Sequence, residues 1–304
     1  MEILSKLPKV LIRTDVAEIS RILGVPVEGA NIEINGLNLC NRSIIAENTL
    51  SYCTSPKYLK VAEQNPRVKA LIVTPEIYDS LDEKQRNHIS YIVSTQPEAT
   101  FYQLFEILQN KGCYPKYDWK TDLCGAIVSK GAVVENGVIL GKNCKIGCNS
   151  VICSGTIIGD NVTIGNCSVI GSNGFQLIRD AEGKNMVINH VGRTYIGNNV
   201  TIADNVTIDR SLFESYTFVN DYVKIDNHVH VAHNCMIGEN SVLTAGAILF
   251  GSSEIGKDVW VAPGSSIMNR VKIGDGAMVC ASTFVMRNVK PYTKVFGIPA
   301  VAID

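Results

Sequence analysis

VENGVILGKNCKIGCNSVICSGTIIGDNVTIGNCSVI, Val134 to Ile170, places an aliphatic residue at every sixth position: Val134, Leu140, Ile146, Ile152, Ile158, Ile164 and Ile170. The period reaches back to Val128 and resumes at Ile196, Ile202 and Ile208. After a slip of one residue it runs from Ile225 through Val231, Ile237, Leu243, Leu249, Ile255, Val261, Ile267, Ile273 and Val279 to Val285. A heptad or an ordinary amphipathic strand would drift out of this phase within a few repeats. A period of six is the signature of a hexapeptide β-helix. Each hexad then forms one short strand and a corner, and three hexads close a triangular coil with the aliphatics stacked inside. Gly often follows the aliphatic (Gly147, Gly159, Gly165, Gly197, Gly238, Gly256), and Asn, Asp or Gly sit near the corners, where unusual φ values are needed. Successive coils are expected to lie about 4.8 Å apart.

Two irregularities interrupt the array: the stretch 171–195, GSNGFQLIRDAEGKNMVINHVGRTY, and the slip near Ser215 to Asn220. Insertions in solenoids map to loops, either as tolerated decoration or on the binding face, and both alternatives stand. Residues 1–120 lack the period and read as a separate α/β domain. Asp15 opens a capped helix, DVAEISRILG, that ends at Gly24. KALIV (Lys69 to Val73) and SYIV (Ser90 to Val93) read as strands, and Thr100 to Lys111 as an amphipathic helix. The expected architecture is therefore mainly β: a left-handed parallel β-helix over 121–304, with an inserted loop at 171–195, behind an N-terminal α/β domain.

The 304 residues carry 28 Lys and Arg against 29 Asp and Glu, a formal net charge of -1, without the basic surplus of a nucleic-acid binder. MEILSKLPKV, Met1 to Val10, has no apolar core long enough for a signal peptide. No segment reaches the roughly 18 apolar residues of a spanning helix, so a cytoplasmic protein without stable membrane insertion is expected. The ten Cys, among them Cys144, Cys148, Cys153, Cys167, Cys235 and Cys280, never form CxxC pairs and read mostly as small buried hydrophobes.

Three of the five His crowd into DNHVHVAHN, Asp226 to Asn234. Three imidazoles within six residues suit a zinc site. Against that, His228 and His230 share one strand face while His233 falls beyond Val231, in the next hexad. The other use is general-base catalysis, since an amine attacking a thioester must lose a proton and a neutral imidazole accepts one near neutrality. A surface His at a subunit contact is the plain alternative. Three hexads on from His233 is Gly251, and the column continues to Asn269 and Arg287. A Gly one coil above a base offers an uncluttered N–H for a developing oxyanion. Arg287, three coils from His233 or about 14 Å, is too far for that chemistry but suits a donor phosphate.

IDNHVHVAHNCMIGENSVLTAGAILFGSSEIG (Ile225 to Gly256), with IGSNGF, VTIDRS, FVMRNV and GIPA, resembles the UDP-3-O-acylglucosamine N-acyltransferase (LpxD) family of lipid A biosynthesis. LSYCTSPKY, Leu50 to Tyr58, resembles its uridine-binding segment. The resemblance implies a homotrimer with active sites between subunits. It implies His233 as catalytic base, Gly251 as oxyanion donor and Asp226 as the supporting carboxylate. Tyr52 and Tyr58 match the aromatic pair around uracil, with Ser55 where an Asn is usual. Asn234, Phe175 and Arg287 are carried as further substrate-binding candidates. No metal and no cofactor are implied; the donor is acyl carrier protein through its phosphopantetheine thioester, or an acyl-CoA. Arg270 stands where the family often has a second His. Phe284 lies near the family's acyl trough, where it either shortens the chain accepted or packs between subunits. The chain ends at Asp304 without the family's C-terminal helical extension, which keeps open a short acyl-CoA donor and another amino-sugar nucleotide.

Overall fold

The computed structural model describes residues 12–42, 44, 46–179, 182–299 and 301–303. Met1 to Val10, read above for a leader, lie outside them, as do Ala300 of the GIPA stretch and Asp304. The chain divides into two compact units. One comprises Met1–Pro115, Phe175–Val191 and Phe213–Ser215; the other comprises Lys116–Gly174, Gly192–Leu212 and Tyr216–Asp304.

The second unit is a left-handed parallel β-helix. Its strands, mostly of two residues, stack into sheets of seven, ten and eight. Partners along the stack are three hexads apart, as in Ile146 with Ile164 and Val231 with Leu249. The hexad aliphatics from Leu140 to Val285 are all at most 5% exposed, and Val128 and Val134 pack partly buried on the first coil. Burial of each Ile, Leu or Val is worth about 1.5–3 kcal/mol relative to exposure, so the stack is its own core.

A second inward ladder, two positions before the aliphatic, did not show in the count of sixes because its members are chemically mixed. Val162, Val206, Val229, Cys235, Ala247 and Val259 alternate there with Ser150, Ser168, Ser241 and Ser265, all buried. The hydroxyls satisfy corner carbonyls: Ser150 Oγ donates to Gly165 O at 2.7 Å, Ser241 to Gly256 O at 2.8 Å and Ser265 to Cys280 O at 2.8 Å. Three positions after the aliphatic the backbone turns left-handed, at Asn161 (φ 59), Asn205 (φ 57), Asn234 (φ 62) and Asn240 (φ 59), where Asn tolerates the conformation. His228 (φ 59) and Arg270 (φ 63) occupy the same kind of position.

Of the ten Cys, only Cys40, Cys53, Cys144 and Cys235 are buried; Cys124, Cys148 and Cys167 are exposed. Mostly buried thiols were therefore the wrong expectation, because a corner position points outward whatever residue fills it.

Both interruptions are insertions between coil strands. Ile158 pairs with Ile196, where a plain coil would offer Gln176, and Ile164 with Ile202, where it would offer Glu182. The first insertion is therefore longer than three hexads. Its Gln176–Arg179 and Asn185–Ile188 form an antiparallel hairpin that clusters with the first unit, while Arg193–Ile196 is already coil strand. Ile196 pairs with Val219, where a plain coil would offer Glu214. The slip of one is thus an insertion one short of a hexad, and Val219 takes the inward place the count passed over.

In the first unit a five-stranded sheet runs Val27–Glu28, Ser90–Val93, Val68–Val73, Thr49–Cys53, Gly36–Leu37, with the last four strands parallel. Val16–Leu23 is capped by Asp15, whose side chain accepts from Glu18 N, and ends at Gly24 (φ 65). The helix read from Thr100 begins at Pro97 and ends at Asn110. Pro suits the first helical turn, where no N–H is required, so it opens the helix. Its buried face (Phe101, Tyr102, Phe105) packs around Phe213, with ring centroids 5.0 Å apart for Phe105 and 5.6 Å for Phe101, both edge-on. Beside Phe213, Glu214 is 3% exposed and accepts from Leu37 N at 3.0 Å; burial pushes its carboxyl up to about 8.

Candidate active site

In the second unit, the strand His230–Val231 buries Val231, and Ala232, His233 and Asn234 then turn the corner. Asn234 ties this corner down. Its N–H donates to Thr217 Oγ1 at 2.8 Å and its Nδ2 to Ser211 Oγ at 2.5 Å. Its Oδ1 accepts from Leu212 N at 3.0 Å and lies 2.9 Å from His233 Nδ1. A backbone N–H can only donate, so the atom facing Leu212 is the amide oxygen, and an amide oxygen only accepts. His233 Nδ1 must then carry the hydrogen, which leaves the neutral ring's lone pair on Nε2.

Nε2 is turned toward Gly251. A Cβ built on Gly251 would sit 2.8 Å from both Cε1 and Nε2 of His233. The backbone there is not left-handed, so glycine serves for room rather than for φ. At the corners that follow the other two sheets the equivalent position is capped by the next coil: Asp204 Oδ1 accepts from Asn166 N at 2.6 Å, Asn198 Oδ1 from Asp160 N at 2.8 Å, and Asp275 Oδ1 from Lys257 N at 2.8 Å. Gly251 belongs to the third corner and takes no part in such a ladder. It has no side chain to offer downward, and among the described residues its own N–H donates to nothing. The corner therefore holds a lone-pair nitrogen, an unspent N–H beside it, and space where a side chain would be.

Asp226 is not brought to the ring. It follows Ile225 on a different corner, and its Oδ1 accepts from Asn227 N at 2.7 Å and Nδ2 at 3.0 Å. The group that orients His233 is Asn234. Nor do the three His converge: His228 is an exposed corner, and His230 Nδ1 lies 2.7 Å from Thr207 Oγ1. Among the described residues no three His, Cys, Asp or Glu are grouped to hold a metal ion. Arg270 N donates to Gly251 O at 3.2 Å, beside the corner, and its side chain is exposed. Arg287 is exposed three coils on from His233, and Phe284 is half-buried, paired with Ser266.

Counting from the sequence missed what holds the corner. Ser211 lies one coil before Asn234, and Thr207 one coil before His230, but the offset is that of a lengthened coil and appears only once the second insertion is known. It also missed Asp209, 7% exposed, whose Oδ2 is 3.9 Å from His230 Nε2 and whose carboxyl burial pushes up to about 7. Burial likewise lowers the His230 imidazole.

Tyr52, Ser55, Tyr58 and Phe175 belong to the first unit. The Tyr52 ring lies 5.2 Å from Phe101 and 6.3 Å from Tyr102, and its hydroxyl donates to Glu98 Oε1 at 2.7 Å. Tyr58 packs on the cluster that contains Cys53, Leu71 and Tyr91. Tyr52 and Cys53, neighbours in the strand, point to opposite faces of the sheet, and Tyr58, on helix Pro56–Glu63, packs on the Cys53 side. Ser55 is the cap residue of helix Pro56–Glu63 but makes no side-chain cap bond. Phe175 is 75% exposed. A cleft of about 680 Å³ opens at the carboxyl ends of three parallel strands, lined by Thr54, Thr74, Thr95, Gln96, Glu98 and Arg179 among others.

Residues 137–172 and 252–287 match the family model described as bacterial transferase hexapeptide (six repeats). The chloramphenicol acetyltransferase of Escherichia coli is 43% identical over 53 residues, 17% of this chain and 25% of that protein. A probable macrolide acetyltransferase of Lysinibacillus sphaericus is 44% identical over 50 residues, 16% of this chain and 28% of that one. The chain thus spans about a quarter of the length of the curated relatives it matches. The UDP-N-acetylglucosamine acyltransferase from Campylobacter jejuni shares the fold, with TM-score 0.54 at 24% identity over 62% of this chain and 71% of that one.

Proposed function

We propose that this hexapeptide-repeat chain is an acyltransferase that moves an acyl group from a thioester to the amine of a nucleotide-linked amino sugar. The observation that carries the proposal is the corner itself: His233 Nε2 against a glycine whose N–H is unspent. As the amine attacks the thioester carbonyl, Nε2 takes its proton and Asn234 Oδ1 holds the imidazolium through Nδ1–H. Gly251 N–H donates to the oxyanion of the tetrahedral intermediate. Collapse expels the thiolate, which takes the proton back from His233. The transfer is direct, with no covalent enzyme intermediate, metal or cofactor.

The acceptor we favour is UDP-3-O-acylglucosamine, with acyl carrier protein as donor, in lipid A biosynthesis. The motifs from Ile225 to Gly256 support that choice. The cleft beyond the strand ends supports a nucleotide in the first unit, since open α/β sheets take ligands there, with Arg179 available to a phosphate; the motif LSYCTSPKY supports Tyr52 and Tyr58 as the pair around uracil. A homotrimer and a cytoplasmic location belong to the same proposal; among the described residues no helix is long and apolar enough to cross a membrane. The acetyltransferase names of the matched relatives favour a second reading, in which acetyl-CoA serves another amino-sugar nucleotide. The two separate by experiment: UDP-3-O-acylglucosamine is incubated with long-chain acyl carrier protein or with acetyl-CoA and the products are weighed by mass spectrometry. A long-chain adduct is expected; transfer from acetyl-CoA alone overturns the lipid A assignment.

A further inference from the structure

The first unit has a second cavity, of about 370 Å³, at the opposite end of its parallel strands from the cleft described above. Asn48 precedes the strand Thr49–Cys53, Lys69 is the second residue of Val68–Val73, and Asn87 and His88 lead into Ser90–Val93; Arg86 and Gly29 complete this part of the wall. The lining contains Lys69, Arg86 and His88 and no carboxylate. None of these three cationic or protonatable side chains has an ion-pair partner among the described residues.

The wall is held in place. Arg86 ends a short helix closed by a reciprocal capping box between Asp82 and Gln85. Its guanidinium lies 4.8 Å over the Tyr78 ring and donates from Nη2 to Tyr78 O at 3.3 Å. That arrangement spends one edge of the fork and leaves Nε buried with no acceptor. The guanidinium charge itself is met by no carboxylate, and an anion in the cavity would meet it. Gly29 (φ 108) lets the neighbouring strand approach: a Cβ there would come within 3.2 Å of Ser90 Cα and 3.3 Å of Ile89 O. Asn48 is itself left-handed (φ 48), which brings an amide to the same rim.

We propose that this cavity is a binding site for a small phosphorylated molecule, whose phosphate is taken by Lys69, His88 and the Arg86 guanidinium. Its volume admits a compact phosphate ester and not an extended chain. The site shares no residue with those assigned to acyl transfer and stands whether or not that assignment holds. Calorimetric titration of the full chain with inorganic phosphate, a hexose 6-phosphate and phosphatidylglycerol vesicles tests it. Saturable binding of the hexose phosphate is expected, with phosphate weaker and vesicles inert. Lys69→Gln with His88→Gln, both at solvent-reached positions, should weaken that binding at least about tenfold, as loss of charge-assisted bonds requires. His88→Glu should abolish it by repulsion. An unchanged affinity in both variants, binding of vesicles alone, or no saturable binding of either soluble probe overturns the proposal.

Discussion

His233 can act as a base only if its proton sits on Nδ1, and a single amide oxygen decides that. Asn234 Oδ1 already accepts from Leu212 N, so it has nothing to donate to the ring. Asn234→Ala should therefore lower kcat by part of the roughly 10²–10⁴-fold that a positioned base contributes, with KM for the donor nearly unchanged. Steady-state kinetics check this, and a KM effect without a kcat effect would mean that Asn234 binds substrate instead. His233 and Gly251 were legible in the sequence because a solenoid returns to the same corner every three hexads, so a column can be counted. The partner of the ring was not: a resemblance pointed to Asp226, and the coil geometry places that carboxylate on another corner. Ser211 and Thr217, which anchor Asn234, lie in the coil that carries the second insertion, whose length no period reveals.

At the level of elements, the coil is stabilised by ladders as much as by its apolar stack. Asp204 Oδ1 accepts from both Asn166 N and Asn166 Nδ2, at 2.6 Å and 3.2 Å. Asp204→Ala should cost about 1 kcal/mol, the net worth of such bonds, read as a lower unfolding midpoint in urea. The sequence showed these Asx residues as corner formers but not as caps between coils, since the pairing depends on stacking. The buried carboxyl of Glu214 carries a pH signature. Its folded pKa, about 8, lies above the ordinary 4.5, so folding favours the protonated form. Its stabilising contribution is complete below about pH 4.5 and is lost as the pH rises through about 8. Asp209, at about 7 against 3.8, acts in the same direction over a lower window. Thermal unfolding of the wild type should weaken across that range, and Glu214→Gln should flatten the upper part of the decline. A variant with the wild-type pH profile would show that Glu214 is ionised in the fold.

For the whole molecule, the period of six was enough to read the β-helix, since no other architecture keeps one phase for so long. The strands around Lys69 and Ser90 were legible from their apolar runs. The division into units was harder: 175–191 and 213–215 sit within the repeat array by sequence but cluster with the first unit, and only long-range packing decides such membership. The proposed trimer predicts a sedimentation mass near three times 33.1 kDa at micromolar concentration; a monomer at all concentrations would remove the shared site.

The corner as base and oxyanion donor is tested most directly in a single turnover of acyl carrier thioester with UDP-3-O-acylglucosamine, wild type against His233→Gln, with product followed by mass. The wild type should yield the N-acylated sugar nucleotide. The variant should be slower by about 10²–10⁴-fold with an unchanged unfolding midpoint. Product formation by His233→Gln at the wild-type rate would contradict the assignment of His233 as the base.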